Sequence, residues 1–179
     1  MVIKSVCLFC GSRSGDNPTN AALADAFGTL LASRDIALVY GGGGIGLMGR
    51  AARAAMAAGG RTIGIIPEFL GTAEIAQSGL TELHVVPDLH IRKMLMHDRA
   101  DALVALPGGI GTLDELFEAM TWKELRLHNK PIWLIGPPGF WSPFLLLLRH
   151  LASEGFAPAD LFDLVEELPD LDALAARLI

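Results

Sequence analysis

The sequence predicts one α/β domain over residues 1–179, a doubly wound parallel sheet with helices on both faces. Short apolar runs alternate along the chain with helical patterns, which is the order of right-handed βαβ crossovers. Several runs are rich in Val and Ile and apolar on both faces, as strands covered by helices on both sides are. No linker, internal repeat or low-complexity segment interrupts the alternation. Together these observations favour a single Rossmann-like domain.

Six apolar runs are the predicted strands, and glycine or proline ends them. In order along the chain they are residues 2–9, 37–40, 62–66, 83–86, 102–106 and 131–135. Helical patterns follow them at residues 20–33, 47–58, 91–99, 113–127 and 143–153. The tail, residues 161–179, predicts a last strand or extended piece and a short helix opened by Asp170 or Asp172.

Composition and charge restrict the possible partners. A hydrophobic fraction of 51% with 19% charged residues is typical of a folded globule. The net charge of −6 argues against nucleic acid, because binding to a phosphate backbone requires an excess of Lys and Arg. Basic residues that cluster in an acidic chain are therefore of interest, and two groups do so. One is Arg92, Lys93 and Arg99, and the other is Arg50 with Arg53.

The sequence predicts a cytoplasmic protein without a membrane span. The N-terminus lacks the charged head, apolar stretch and cleavage site of a signal peptide. The longest uncharged run, residues 131–148, is interrupted by four prolines and cannot be one continuous helix. The two cysteines, Cys7 and Cys10, have C-x-x-C spacing on and after the first strand. Burial as small hydrophobes is favoured for them over a redox motif or half a zinc site.

Two glycine-rich loops follow predicted strands and open helices. In residues 40–49, YGGGGIGLMG, three glycines match G-x-G-x-x-G, and Glu68 lies about twenty residues on, which is the dinucleotide fingerprint by spacing. Tight packing of helix on sheet would explain the same glycines. Residues 107–112 repeat the arrangement after a later strand. Two such turns at the carboxyl ends of parallel strands favour a compact, phosphate-bearing ligand, held by backbone N–H groups at helix starts.

The acidic residues after the second loop have two interpretations. Thr112, Leu113, Asp114 and Glu115 fit a capping box, with Thr112 as N-cap and Glu115 returning to its amide. Such a box would stabilise the helix by about 1 kcal/mol. The residues alone favour capping over catalysis for Glu115.

The segment PGGIGTLDE, residues 107–115, resembles the PGGxGTxxE signature of the LONELY GUY (LOG) family of cytokinin riboside 5′-monophosphate phosphoribohydrolases. The resemblance extends over nearly the whole chain. Five further segments are similar to family segments that occur in the same order: CGSRSG, GGGGIGLMG, HIRKMLM, TWKELRLHNKPIWLI and PPGFWSPFLLLLRHLASEGF. The resemblance to the family implies that Arg92 and Glu115 are catalytic and that the protein is a homodimer with active sites near the interface. Substrate-binding positions implied by the match or by the glycine loops are Glu74, Arg92, Lys93, Gly109, Ile110, Gly111, Thr112, Leu113, Asp114, Glu115, Thr121, Gly43 and Gly44.

The activity implied is hydrolysis of the N-glycosidic bond of an N6-substituted adenosine 5′-monophosphate to free base and ribose 5-phosphate. We expect the carboxylate of Glu115, kept ionised at a helix start, to stabilise the positive charge that develops on the ribose. Arg92 would bind phosphate or leaving base, and no cofactor or metal is expected. The five histidines form no H-E-x-x-H pattern. The alternative is a non-catalytic carrier or sensor of nucleotides, or of a nucleotide-bearing cofactor, on the same fold. An NAD-dependent oxidoreductase is a further alternative.

Overall fold

The computed structural model describes residues 2–70 and 76–178, which form a seven-stranded parallel sheet in the order β4-β3-β2-β1-β5-β6-β7. The strands are β1 (Ser5–Phe9), β2 (Ala37–Tyr40), β3 (Thr62–Pro67), β4 (Glu82–Val86), β5 (Ala102–Ala105), β6 (Ile132–Leu134) and β7 (Glu166–Glu167). The helices are α1 (Pro18–Ser33), α2 (Gly46–Ala57), α3 (Leu89–Asp98), α4 (Ile110–Glu124), α5 (Ser142–Ser153) and α6 (Leu171–Arg177). All six predicted strands and the tail helix opened by Asp170 are confirmed.

Hydrophobic cores on the two faces of the sheet explain why the strands are apolar throughout. Alternate strand residues point to opposite faces. In β1, Val6 and Leu8 belong to the core beneath α1, α2 and α6, whereas Cys7 and Phe9 belong to the core beneath α3, α4 and α5. The helices therefore cover both faces, as predicted for a doubly wound sheet.

The structure shows where the proline-containing run and the two cysteines lie. The proline-containing run, residues 131–148, contains β6, a turn and the first half of α5. Among the residues 2–70 and 76–178, no helix combines the length and apolarity that crossing a bilayer requires.

Cys7 and Cys10 are both buried and are not bonded to each other, in agreement with the prediction that they pack as small hydrophobic residues. Burial raises the pKa of both thiols well above its ordinary value, which disfavours the reactive thiolate.

Candidate active site

Three loops meet at the carboxyl edge of the sheet, where β1 lies between β2 and β5. We call the space between them the switch-point crevice, bounded by residues 10–17, 41–45 and 106–109. The chain winds in opposite directions on the two sides of β1, so this is the topological switch point. Open α/β sheets bind their ligands at that position.

Close backbone contacts hold the three loops together. The amide of Gly11 donates to the carbonyl of Pro107 at 3.0 Å, and the amide of Leu47 donates to the carbonyl of Gly11 at 3.0 Å. Gly46, at the start of α2, has a φ of 56°, and a Cβ there would lie 2.2 Å from the carbonyl carbon of Ser12. Only glycine fits this contact, so the glycine at this position has a packing reason that is independent of any ligand.

The start of α4 differs from the sequence prediction. The helix begins at Ile110, the N-cap is Gly109, and no side chain caps it. The proposed capping box is therefore wrong, because Thr112 lies within the first turn instead of before it. Its hydroxyl packs against Gly108, where a Cβ would lie 2.0 Å from it. Glu115 is thus one and a half turns inside the helix, too far along for it to reach an N-cap amide.

The first turn of α4 presents backbone donors to the crevice. Among the described residues, none accepts a hydrogen bond from the amides of Ile110, Gly111 or Thr112. The side chain of Ile110 is 85% exposed, and a Cβ at Gly111 would meet nothing within 4 Å. Unpaired N–H groups and the positive end of the helix dipole together form a site suited to a compact anion.

Glu115 is a buried carboxyl group that faces an arginine. Its side chain is 12% exposed, and its Oε1 lies 3.8 Å from Nη1 of Arg92. Burial raises the pKa of Glu115 to about 7; Arg92 opposes this rise and the neighbouring Asp114 adds to it. The expectation that the helix start keeps this residue ionised is therefore wrong in direction, because desolvation of the carboxylate outweighs the favourable charges. A carboxyl with a pKa near neutrality can exchange a proton at physiological pH.

Arg92 reaches from α3 beneath the ends of two strands. Its Nε donates to the carbonyl of Ile65 and its Nη2 to the carbonyl of Gly41, each at 3.2 Å. A Cβ at Gly41 would lie 1.7 Å from Nη2, so glycine is required for the guanidinium to occupy this place. With only 13% of its side chain exposed, Arg92 is fixed in orientation and leaves Nη1 directed at Glu115.

Lys93 is engaged in a different set of contacts. Its Nζ lies 3.1 Å from Asp114 Oδ2 and 2.8 Å from Glu118 Oε2, both on α4. Thr121 lies further along α4, where its hydroxyl donates to the carbonyl of Phe117 at 2.8 Å. Leu113 is half-buried against the core beneath α4. Glu74 lies outside the described residues.

The first glycine loop, residues 40–49, is tied to the segment that follows it. Gly43 forms an antiparallel bridge with Ala76, and the carbonyl of Gly44 accepts a hydrogen bond from Arg53 Nη1 at 2.8 Å. A Cβ at Gly49 would lie 2.1 Å from the carbonyl oxygen of Gly44. These contacts give the glycines a structural role at the rim of the crevice.

The structure brings the two predicted catalytic residues, Arg92 and Glu115, together, and it shows two supporting residues that the sequence analysis missed. Gly41, which makes space for Arg92, was counted only as one glycine of a run. Glu118 was not singled out, although its position four residues after Asp114 places both carboxylates on one face of α4. Among the residues the structure describes, no group of three or more His, Cys, Asp or Glu is placed to hold a metal ion.

These features define a class of protein. A doubly wound sheet with unpaired backbone amides at its switch point, beside a buried Arg–Glu pair, is the arrangement typical of proteins that bind a phosphorylated ligand and act on it.

Comparisons with known proteins identify the family within this class. Residues 48–178 match the family model described as "Possible lysine decarboxylase". A cytokinin riboside 5′-monophosphate phosphoribohydrolase of Rhodococcoides fascians is 48% identical over 154 residues, 86% of this chain and 78% of the relative. One from Arabidopsis thaliana is 39% identical over 175 residues, 98% of this chain and 82% of the relative. The chain belongs to this family, the LONELY GUY family.

Solved structures of more distant proteins share the fold. The molybdenum cofactor binding protein of Rippkaea orientalis superposes with a TM-score of 0.74 at 21% identity, over 99% of this chain and 96% of that one. The molybdenum cofactor carrier protein of Chlamydomonas reinhardtii gives 0.69 at 22% identity, over 97% and 94%. At this level of identity the likeness is one of fold alone.

Proposed function

We propose that this protein hydrolyses the N-glycosidic bond of N6-substituted adenosine 5′-monophosphate, releasing the free base and ribose 5-phosphate, as in cytokinin activation. Relatives at 39–48% identity that carry the name of this activity support the proposal. The observation that carries it is the Glu115 carboxyl, 12% exposed and 3.8 Å from Arg92, beside the open first turn of α4.

The 5′-phosphate is the anchor. In the proposed complex it binds to the amides of Gly109 to Thr112, with Gly43 and Gly44 at the rim of the crevice. Such a contact remote from the reacting bond supplies binding energy that positions the sugar. The dipole of α4 favours the anion further.

Bond cleavage places positive charge on the ribose. The bond between C1′ and the base nitrogen breaks, and its electron pair leaves with the base. An ionised Glu115 stabilises the oxocarbenium-like sugar and takes a proton from the attacking water, whose oxygen forms the new bond to C1′. The proton that Glu115 took from water passes on to the base, which restores the carboxylate, and ribose 5-phosphate is released. Arg92 keeps a permanent charge beside Glu115, which favours the carboxylate over the carboxylic acid.

We also propose that the protein is a cytoplasmic homodimer with active sites near the subunit interface. Exposed apolar side chains on the edge strand β4 and on α3 support a partner surface there. They are Leu83 (44% exposed), Val85 (57%), Leu89 (42%) and Met94 (49%). The same helix, α3, carries Arg92, whose Nη2 donates to the carbonyl of Gly41 in the crevice wall.

The test is chromatography of the products after incubation with adenylate and N6-isopentenyl adenylate, with the matching nucleosides as controls. We expect free base from both monophosphates and little from the nucleosides. The variant Glu115→Gln should lose base release, whereas Glu124→Gln, at the exposed end of the same helix, should keep it. Nucleotide that binds and returns unchanged would contradict the proposal and favour a carrier.

A further inference from the structure

We propose that Lys93 is a positioning residue: through Asp114 and Glu118 it ties α3 to α4 and so holds Arg92 opposite Glu115. This inference rests on the proposed function, because it assigns a role within the same site. It replaces direct contact with the substrate as the role of Lys93.

The geometry of the two helices separates Lys93 from Arg92. Successive residues of an α-helix point about 100° apart, so neighbours on α3 face different surroundings. Arg92 is directed to the strand ends and Glu115, while Lys93 is directed along α4. Asp114 and Glu118 are four residues apart and therefore share a face of α4, with Lys93 Nζ between them. The Lys93 contacts and the Arg92–Glu115 contact thus join the same two helices.

The two carboxylates differ in what they contribute. The Asp114 side chain is 61% exposed, so its 3.1 Å contact with Lys93 is screened by solvent. Glu118 is 25% exposed and Lys93 12%, so their 2.8 Å contact is the stronger one. Burial would lower the pKa of Lys93, but the hydrogen bonds to Glu118 and Asp114 outweigh it and raise that pKa. Lys93 is therefore charged and already occupied by protein carboxylates.

Lys93 also balances charge around Glu115. The charged and titratable groups that face Glu115 are Arg92 and Lys93 from α3, Asp114 and Glu118 from α4, and the thiols of Cys7 in β1 and of Cys10 directly after it. Asp114 and Glu118 disfavour the Glu115 carboxylate, and the two cations favour it. Removing Lys93 leaves the negative charges of Asp114 and Glu118 without their partner, beside the Glu115 carboxyl group that must be ionised to act.

The experiment compares four variants with the wild type across pH, with base release from adenylate as the assay; one of them, Glu118→Gln, is the single-carboxylate variant. Lys93→Met removes the charge and keeps the apolar stem. The triple variant K93M/D114N/E118Q removes the cation together with both carboxylates. Lys123→Met is the matched control, because Lys123 is another half-buried lysine, on the last turn of α4, and its Nζ donates to the carbonyl of Leu164 at 2.9 Å.

We expect K93M to lower kcat by about tenfold to a hundredfold, with a small change in KM. The acid limb of its pH–rate profile should move to higher pH, and the triple variant should return that limb to or below the wild-type position. E118Q alone should move the limb to lower pH, which tests the charge balance even if K93M folds poorly. K123M should leave the limb in place.

A raised KM in both K93M and the triple variant, with the acid limb unmoved, would overturn the inference and assign Lys93 to the substrate. Failure of the wild-type protein to release base would instead refute the proposed function, so the two failures are distinguishable.

Discussion

Glu115→Gln should stabilise the protein at alkaline pH while it abolishes activity. One pKa unit corresponds to about 1.4 kcal/mol, so the rise in the pKa of Glu115 from 4.5 to about 7 corresponds to about 3 kcal/mol. An acid whose folded pKa exceeds its unfolded value binds its proton more tightly when folded. The ionised carboxylate therefore destabilises the folded state above about pH 7, and this cost disappears below about pH 4.5. Glutamine has nearly the same shape and no charge, so it removes the cost.

Urea unfolding, followed by far-UV circular dichroism, measures this difference. At pH 8 the free energy of unfolding of Glu115→Gln should exceed that of the wild type by about 3 kcal/mol, and at pH 5 by about 1 kcal/mol or less. Glu124→Gln, on the exposed end of the same helix, should match the wild type at both values. A Glu115→Gln variant that is less stable than wild type at pH 8 would refute the reasoning and would favour a purely structural role for Glu115.

Three further predictions follow: two concern the same site, and the third concerns His97, a buried histidine of α3. Below pH 7 the wild-type kcat/KM should fall about tenfold per pH unit, because Glu115 must be ionised to act; a rate independent of pH between 5.5 and 8 in a buffered assay would contradict this. Gly41→Ala should lower kcat/KM by about a hundredfold with unfolding little changed, because its Cβ would lie 1.7 Å from Arg92 Nη2; wild-type kinetics would count against the placement of Arg92. Burial lowers the pKa of His97 to about 4, so the free energy of unfolding should fall as the pH drops from 6.5 toward 4. The melting temperature should fall less over this pH range in His97→Leu than in the wild type.

Much of the fold follows from local patterns in the sequence. The strands are buried on both faces, so their composition alone distinguishes them, and the glycine turns mark where each one ends. Arg92 and Glu115 are 23 residues apart in the sequence; the family resemblance implied that both are catalytic, but their contact was not predicted. It depends on how α3 and α4 pack side by side on one face of the sheet.

The start of α4 and the chemistry of Glu115 could not be predicted in this way. Thr112 has a better capping side chain than Gly109, so local preference selects the wrong residue. The loop contacts between Gly11 and Pro107 and the close packing of Thr112 on Gly108 settle the start of the helix instead. The pKa of Glu115 depends on burial by other elements, a quantity that no local pattern contains. The partners of Lys93 are likewise set by the packing of α3 on α4.

The most direct test of the central claim is the single-turnover rate of base release from saturating N6-isopentenyl adenylate at pH 8, for wild type and Glu115→Gln. We expect the variant to bind the nucleotide with similar affinity and to release base at least about a hundredfold more slowly. Equal rates in the two proteins would show that the carboxylate takes no part in breaking the glycosidic bond.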